Sequence, residues 1–295
     1  PAPAPRGSAG SCGTNTENDL GTLRSNAKSV FIGIRDNDGT KSVPFNGKID
    51  EVRLYDRALS NAEVIYLFNK GGPIMHWKFD EGSGTTTVYD SAQTNFVTNN
   101  VGTMSGSMTE ADWVQGKYGT ALDFDGSDDL IDIPESIATN GPATSEEITF
   151  TAWVNPDVIP ASATDEDTVF YSDHLIVRFE ENTDLETFIT DGTNTPQELS
   201  ADGMWATGEW QHVGLTFDND VFRIYRNGIL VAETDAYSGT GIGAQACTVV
   251  RVGGRCDNST ETFDGKLDDV KLYAYARSAE EILQDYNRGL STHFR

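Results

Sequence analysis

The sequence predicts an all-β protein, an antiparallel sandwich of two sheets. Three observations lead there. Stretches rich in β-branched and aromatic residues recur at short intervals, as in ITFTAWVNP (148–156), TVFYS (168–172), LIVRFEE (175–181), LETFITD (185–191) and WQHVGLTFD (210–218). Turn dipeptides separate such stretches: Asn219-Asp220 follows LTFD, and Asn227-Gly228, a strong two-residue hairpin signal, splits FRIYR from ILVAE. Helical signals are confined to two short stretches, 60–69 and 278–287. Many short strands joined by tight turns make sandwiches. The 14 Phe, 10 Tyr and 5 Trp among 295 residues supply a real core.

Taken in order, the chain opens with Pro1-Ala2-Pro3-Ala4-Pro5, and residues 1–28 read as linker and loop. That opening predicts a processed or excised piece of a longer protein. Residues 29–69 (SVFIGIRDNDGTKSVPFNGKIDEVRLYDRALSNAEVIYLFN) and 248–287 (TVVRVGGRCDNSTETFDGKLDDVKLYAYARSAEEILQDYN) then run through one succession. Each has a strand, a polar turn, Phe, Asn/Asp-Gly-Lys, an acidic pair, Val, a basic residue, Leu-Tyr and a short helix. Ser60 and Ser278 stand where an N-cap belongs, with Glu63 and Glu281 three residues on, as in a capping box. A match this long and ordered is an internal repeat.

The second copy closes a long β-rich body and the first copy follows only linker. Residues 29–72 therefore read as the closing strands and helix of a preceding or shared domain, and 73–295 as a complete one, with Gly71-Gly72-Pro73 between them. Strands are expected over 31–35 and 48–55. Without opening strands they would bare an apolar face and a strand edge, so the segment should pack on its missing half, on residues 74–295, or on a neighbouring chain.

The net charge of −25 repels phosphate backbones and anionic headgroups, which excludes nucleic acid partners. No apolar run reaches the ~18–20 residues of a bilayer span, so membrane insertion is not expected. Cys247 and Cys256 flank an expected strand and turn; they read either as a disulfide of a secreted protein or as two unpaired thiols. Cys12 is left over, and the absence of Cys-x-x-Cys argues against zinc.

HWKFDEGSGTTTVYDSA (76–92), GKYGTALDFDGSDDLIDIP (116–134), ITFTAWVNP (148–156), EWQHVGLTFD (209–218), IYRNGILV (224–231) and FDGKLDDVKLYAYARSAEEI (263–282) resemble, in that order, the laminin G-like (concanavalin A-like lectin/glucanase) family. The resemblance covers residues 74–295, and its closing motif alone covers about 29–69. It implies a jelly roll of two antiparallel sheets with first and last strands side by side, so that WKFDEG pairs near GKLDDVKLY. It implies little about function, because one such fold carries many functions. Its members often tie first strand to last with a structural ion. By position that points to calcium on Asp80, Asp90 and Asp268, with the Gly82 carbonyl. The same residues also read as turn caps and acceptors of backbone hydrogen bonds.

Asp125-Gly126-Ser127-Asp128-Asp129 reads as a second calcium loop or as an Asp-Gly hairpin. Asp36-Asn37-Asp38-Gly39 lacks the later ligands of an EF-hand and reads as a turn. Trp77, Trp113, Trp153 and Trp210 lie inside family motifs and are expected in the core. Trp205 lies outside them, in a Gly/Thr-rich stretch, where it reads as a sugar-stacking platform shared with Tyr171, His174 and Tyr237, or as a side chain folded over the core. Asn258-Ser259-Thr260 fits a glycosylation sequon. No Gly-x-Ser-x-Gly elbow, His-Glu-x-x-His or paired-carboxylate strand is present, so the chain is expected to be non-catalytic. The leading expectation is an extracellular or cell-surface adhesion module of a tandem protein, binding glycan or protein. The alternatives are a filament or surface-layer subunit that donates strands from 29–72 to neighbouring copies, and an accessory binding domain of a larger hydrolase.

Overall fold

The computed structural model describes residues 31–37, 40–59, 61–69, 71–92, 100–133, 147–162, 166–172, 175–181, 184–189, 197–201, 203, 205–218, 220–234, 249–255 and 261–288. The chain divides into two units, Pro1–Asp56 and Arg57–Arg295. In the first, β1 (Arg35–Asn37) and β2 (Thr40–Ser42) pair antiparallel with Asn37 opposite Thr40; Asp38 and Gly39 of the acidic motif lie outside the described residues. The strands expected over 31–35 and 48–55 are not formed as read: β1 begins only at Arg35, and residues 43–55 carry no strand. Phe45, Ile49, Val52, Leu54 and Tyr55 are exposed, Leu54 at 93%. A strand exists only through a ladder partner, and the described residues of this unit offer none beyond the two short strands.

The second unit is the predicted sandwich. One sheet runs in the order β13 (Gln197–Ala201), β12 (Asp184–Ile189), β11 (Leu175–Glu180), β10 (Asp167–Tyr171), β17 (Val250–Val252), β8 (Leu130–Ile133), β5 (Gly102–Ser105), β4 (Thr87–Val88). The other runs β16 (Ile229–Glu233), β15 (Phe222–Arg226), β14 (Gln211–Phe217), β9 (Ile148–Pro156), β18 (Asp264–Tyr273), β7 (Thr120–Asp125), β6 (Trp113–Gln115), with β3 (Met75–Trp77) also on β18. First and last strands pair as expected, Trp77 opposite Val270 and Met75 opposite Leu272. Asn227 and Gly228 both take positive φ, +51° and +79°, the requirement of a two-residue turn matched to strand twist.

The core lies between the sheets. Phe150 of β9 meets Phe170 of β10 with ring centroids 4.8 Å apart, and Phe263 lies between Phe124 and Phe179. Each such fully buried side chain contributes on the order of 1.5–3 kcal/mol. The helices are α1 (Asn61–Asn69) and α2 (Ala279–Asn287). Ser278 and Glu281 form the predicted capping box of α2; Ser60 lies outside the described residues. Ile282 of α2 sits where a Cβ on Gly214 would come within 2.9 Å, so α2 lies on the outer face of the β9–β14–β18 sheet only because position 214 lacks a side chain. No helix among the described residues is long and apolar enough to cross a membrane.

Leu54 and Leu272 hold equivalent places in the repeat. Leu272→Ala is expected to cost about 2–5 kcal/mol as a buried cavity, and Leu54→Ala no more than ~0.5 kcal/mol; urea unfolding of the two variants measures the difference.

Candidate functional site

β18 faces the core through Leu267, Val270 and Leu272. On its other face Asp268 stands opposite Trp153 of β9, and Lys271 opposite Thr151. Three residues of β18 thus span two of β9, and the extra one is absorbed at Asp269, whose φ is +52°. The bulge re-aims a side chain. Asp269 accepts hydrogen bonds from Lys271 Nζ and, at 2.6 Å, from His76 Nε2 of β3. Burial alone would raise the Asp269 pKa, but the His76 bond and the Lys271 charge hold it down to about 2.

Asp268 lacks such a partner. It is 1% exposed; Oδ2 accepts the Tyr118 N–H at 2.8 Å and Oδ1 accepts nothing. Burial, with the charges of Asp269 and Asp80 adding to it, pushes it up to about 7. Asp80 reaches the same turn, its Oδ1 accepting the Thr120 N–H at 3.3 Å. Gly119 (φ +67°) permits this approach, since a Cβ there would lie 2.1 Å from that oxygen. Asp80, Asp268, Asp269, His76, Tyr118 and Lys271, with Lys78 and Arg288, line a depression of about 410 Å³. The Trp153 and His212 rings pack against Tyr286 of α2, and Trp153 Nε1, His212 Nδ1 and Thr151 Oγ1 are also buried without partners. Burial, reinforced by the Lys271 charge, lowers the His212 pKa to about 3, so its ring stays neutral.

Of the four expected calcium ligands, two come together. Asp90 does not line the depression: Oδ1 accepts the His76 and Ala92 N–H groups and Oδ2 the Asn100 amide, a clamp that fixes β3 to the following loop. Gly82 does not line the depression either. Asp80 and Asp268 both line the depression, beside the cationic side chains of Lys78, Lys271 and Arg288. The second acidic turn brings carboxylate oxygens of Asp125, Asp128 and Asp129 within 4.8 Å of one another, a group that could hold a metal. Those oxygens also accept from Ser107, Ser127 and the Asp125 N–H.

The expected sugar platform is corrected. Trp205 is 3% exposed, packed edge-on against Phe179 in the core, and Tyr171 is 2% exposed beneath the Arg255 guanidinium. Neither presents a free ring face. His174, Tyr237, Cys247, Cys256 and the Asn258 sequon lie outside the described residues. Trp77 and Trp153 are buried as read, while Trp113 and Trp210 are only half-buried. Trp210 ends up outside the core cluster that Trp205 enters.

Two further features went unread. A groove of about 680 Å³ lies beside the β18–α2 corner, lined by Tyr66 of α1, Tyr225, Tyr275, Arg223, Arg277, Glu147, Asp218, Leu230 and the start of α2. Tyr66 and Tyr275 meet edge to face, centroids 4.8 Å apart. On the outer face of the other sheet, Arg178 binds Glu166, Glu180 and Glu186. Burial and the neighbouring carboxylates raise the pKa of Glu166 and Glu186 despite the guanidinium. Asp80 and Asp268, named from the resembling motifs, both line the depression. The groove joins residues more than 200 positions apart and had no sequence signal.

Fold and site together define a jelly-roll sandwich of the lectin type. The laminin G-like model described as the concanavalin A-like lectin/glucanases superfamily matches residues 11–65 and 125–283, and the chain belongs to that family. Mouse pappalysin-1 is 33% identical over 107 residues, 35% of this chain and 6% of that protein. The receptor-binding domain of botulinum neurotoxin mosaic serotype C/D superposes with a TM-score of 0.56 at 15% identity, over 74% of this chain and 51% of that one. The binding domain of botulinum neurotoxin DC in complex with SialylT gives 0.54 at 11%, over 75% and 51%. Domain 4 of AbnA, an extracellular arabinanase from Geobacillus stearothermophilus, in complex with arabinotriose, gives 0.51 at 20%, over 72% and 97%. The chain spans a small part of pappalysin-1 and about half of the neurotoxin chains, and these structural likenesses establish the fold.

An acid whose pKa is raised in the fold holds its proton more tightly folded than unfolded. Without added cation, stability should therefore fall as pH rises from about 4 to about 7, the window between the ordinary and folded values of Asp268. Glu166 and Glu186 act with the same sign. Asp268→Asn is expected to flatten this slope in part, read by urea unfolding across that range.

Proposed function

We propose that the chain is a non-catalytic, extracellular glycan-binding module, and that its ligand lies in the groove at the β18–α2 corner. The groove carries this reading. Its volume of about 680 Å³ is within the range of small-ligand sites. The Tyr66 and Tyr275 rings offer apolar faces for sugar C–H groups, beside planar carboxylates and guanidiniums that match hydroxyls. Both guanidiniums are already paired, Arg223 with Asp218 at 2.7 Å and Arg277 with Asp285 at 3.4 Å, which favours a neutral polyhydroxylated ligand over an anion. The likeness to a domain solved with arabinotriose supports the same ligand class.

Calcium on Asp80 and Asp268 is the proposed structural cofactor. It would neutralise a buried carboxylate that otherwise takes a proton, and it would link the segment after β3 to β18. The residues after β3 supply one ligand and the closing strand the other, so the ion acts on stability.

A second reading is favoured by the exposed apolar residues of 43–55: a structural subunit that assembles by giving its 29–72 segment to another chain, with 73–295 as the complete domain. An accessory module of a larger hydrolase is a further setting for the same groove.

A glycan array probed with and without calcium tests the first reading, and a blank in both conditions overturns it. Tyr66→Ala is expected to weaken the best binder about tenfold, ~1.4 kcal/mol, with no change in Tm. Calcium is expected to raise the Tm of the wild type and not that of Asp268→Asn; equal shifts would remove the ion from this pair.

A further inference from the structure

Arg178 is the only lysine or arginine between Lys117 and Arg223, and carboxylates surround its guanidinium. Its neighbours Val177 and Phe179 enter the core, so Arg178 stands on the outer face of β11, opposite Glu186 of β12 and Thr168 of β10. Nε donates to Glu186 at 2.7 Å, Nη2 to Glu180 of the same strand at 2.9 Å, and Nη1 to Glu166, just before β10. Glu261 lies 3.8 Å from Nη1 and accepts from Arg255, which covers the Tyr171 ring, at 2.9 Å. Glu186 is also hydrogen-bonded to Glu180 and to Glu198 of β13, and Glu166 to Glu261. Asp184 of β12 faces Glu180, and Arg251 of β17 is taken by Asp132 of β8. The Arg178, Glu166, Glu186 and Glu261 side chains are only 11%, 16%, 5% and 12% exposed.

Among the described residues, five glutamates thus meet the guanidiniums of Arg178 and Arg255. Fully ionised, the group would bury an excess of negative charge, which desolvation strongly disfavours. An ionised carboxylate only accepts hydrogen bonds, so each contact between two of these acids requires a proton. Burial, with Glu180 and Glu198 adding to it, pushes Glu186 up to about 9. Burial, opposed by the Arg178 charge and aided by Glu261, pushes Glu166 up to about 7. β13 is the edge of its sheet and is joined to it through β12. We infer that protons shared by the glutamates around Arg178 lock β12 and β13 onto β11, and that this end of the sheet opens when the protons leave. An acid that keeps its proton only in the closed state releases it on opening. The lock is therefore complete below the ordinary glutamate value of 4.5 and is lost as pH rises through about 7 to about 9. It is separate from Asp268, which belongs to β18 of the other sheet.

Amide exchange of the full chain, corrected for the intrinsic effect of pH on exchange, tests the lock. In the wild type, protection over 184–189 and 197–201 is expected to fall at least about tenfold from pH 5 to pH 7, because each proton released on opening contributes about tenfold per pH unit. A glutamine keeps the hydrogen bonds of the neutral acid and has no proton to lose. The Glu166→Gln/Glu186→Gln double variant is therefore expected to hold that protection within about threefold over the same range. Asp268→Asn is expected to leave the wild-type response of these strands in place. A fall that survives in the double variant overturns the inference. So does a fall that Asp268→Asn removes, since β12 and β13 would then open only with the whole sandwich. Should the double variant fail to fold, wild-type chain with 13C at the glutamate carboxyl carbons decides. At least one glutamate is expected to titrate between about pH 6 and 9, and titration of every glutamate below about pH 5.5 overturns the inference.

Discussion

The structure depends on the double-sided pairing of β18. This strand runs between β9 and β7, takes β3 at its far end, and is buried on both faces, by the core on one side and by α2 and its neighbours on the other. A strand so placed satisfies its backbone groups only through its neighbours. Both the sandwich and the depression therefore form when it docks. Its bulge at Asp269 separates two adjacent acids into different roles, one neutralised by His76 and Lys271, the other left with an orphan oxygen beside Asp80. Residues 45–55 illustrate the same constraint in reverse. This similar stretch, with no ladder partner among the described residues, has a positive φ at Glu51 and an Arg53–Glu51 ion pair but is exposed.

Burial of acids is the second theme of this chain of net charge −25. Two of the buried carboxylates, Glu186 and Asp285, are met by a cation. Arg178 holds three glutamates, and Asp285 is met by Tyr273 and Arg277. Such arrangements offset desolvation through hydrogen-bonded partners and contribute little net stability beyond that. Asp268 has no cation at ion-pair distance among the described residues, and burial, with the charges of Asp269 and Asp80, raises its pKa.

Much of the fold was legible because its signals are local or periodic. The β9 stretch runs over the residues read from its composition, the Asn227-Gly228 turn takes the backbone that dipeptide favours, and Ser278 with Glu281 forms the box their spacing announces. The candidate sites were less legible. Trp205 and Trp210 exchanged their expected surroundings because burial depends on which sheet folds over a loop, not on motif membership. Asp90 was read as a ligand from its position in the resembling motifs, and three donors reach it from β3 and the loop after it. The groove pairs Tyr66 with Tyr275, residues no local pattern connects.

The sequence by itself determined the class of fold, the turns, the helix cap, the repeat and the pairing of first strand with last. These follow from side-chain alternation, turn chemistry and motif order, all of which act within a few residues or within one recognisable succession. Only the tertiary structure decided which acids converge, which polar atoms are left without partners, which aromatic rings reach solvent, and that one copy of the repeat is a strand while the other is not. Each of those depends on what lies across a ladder or a packing interface, and a neighbour brought from far along the chain, or from outside it, is written in no local stretch of residues.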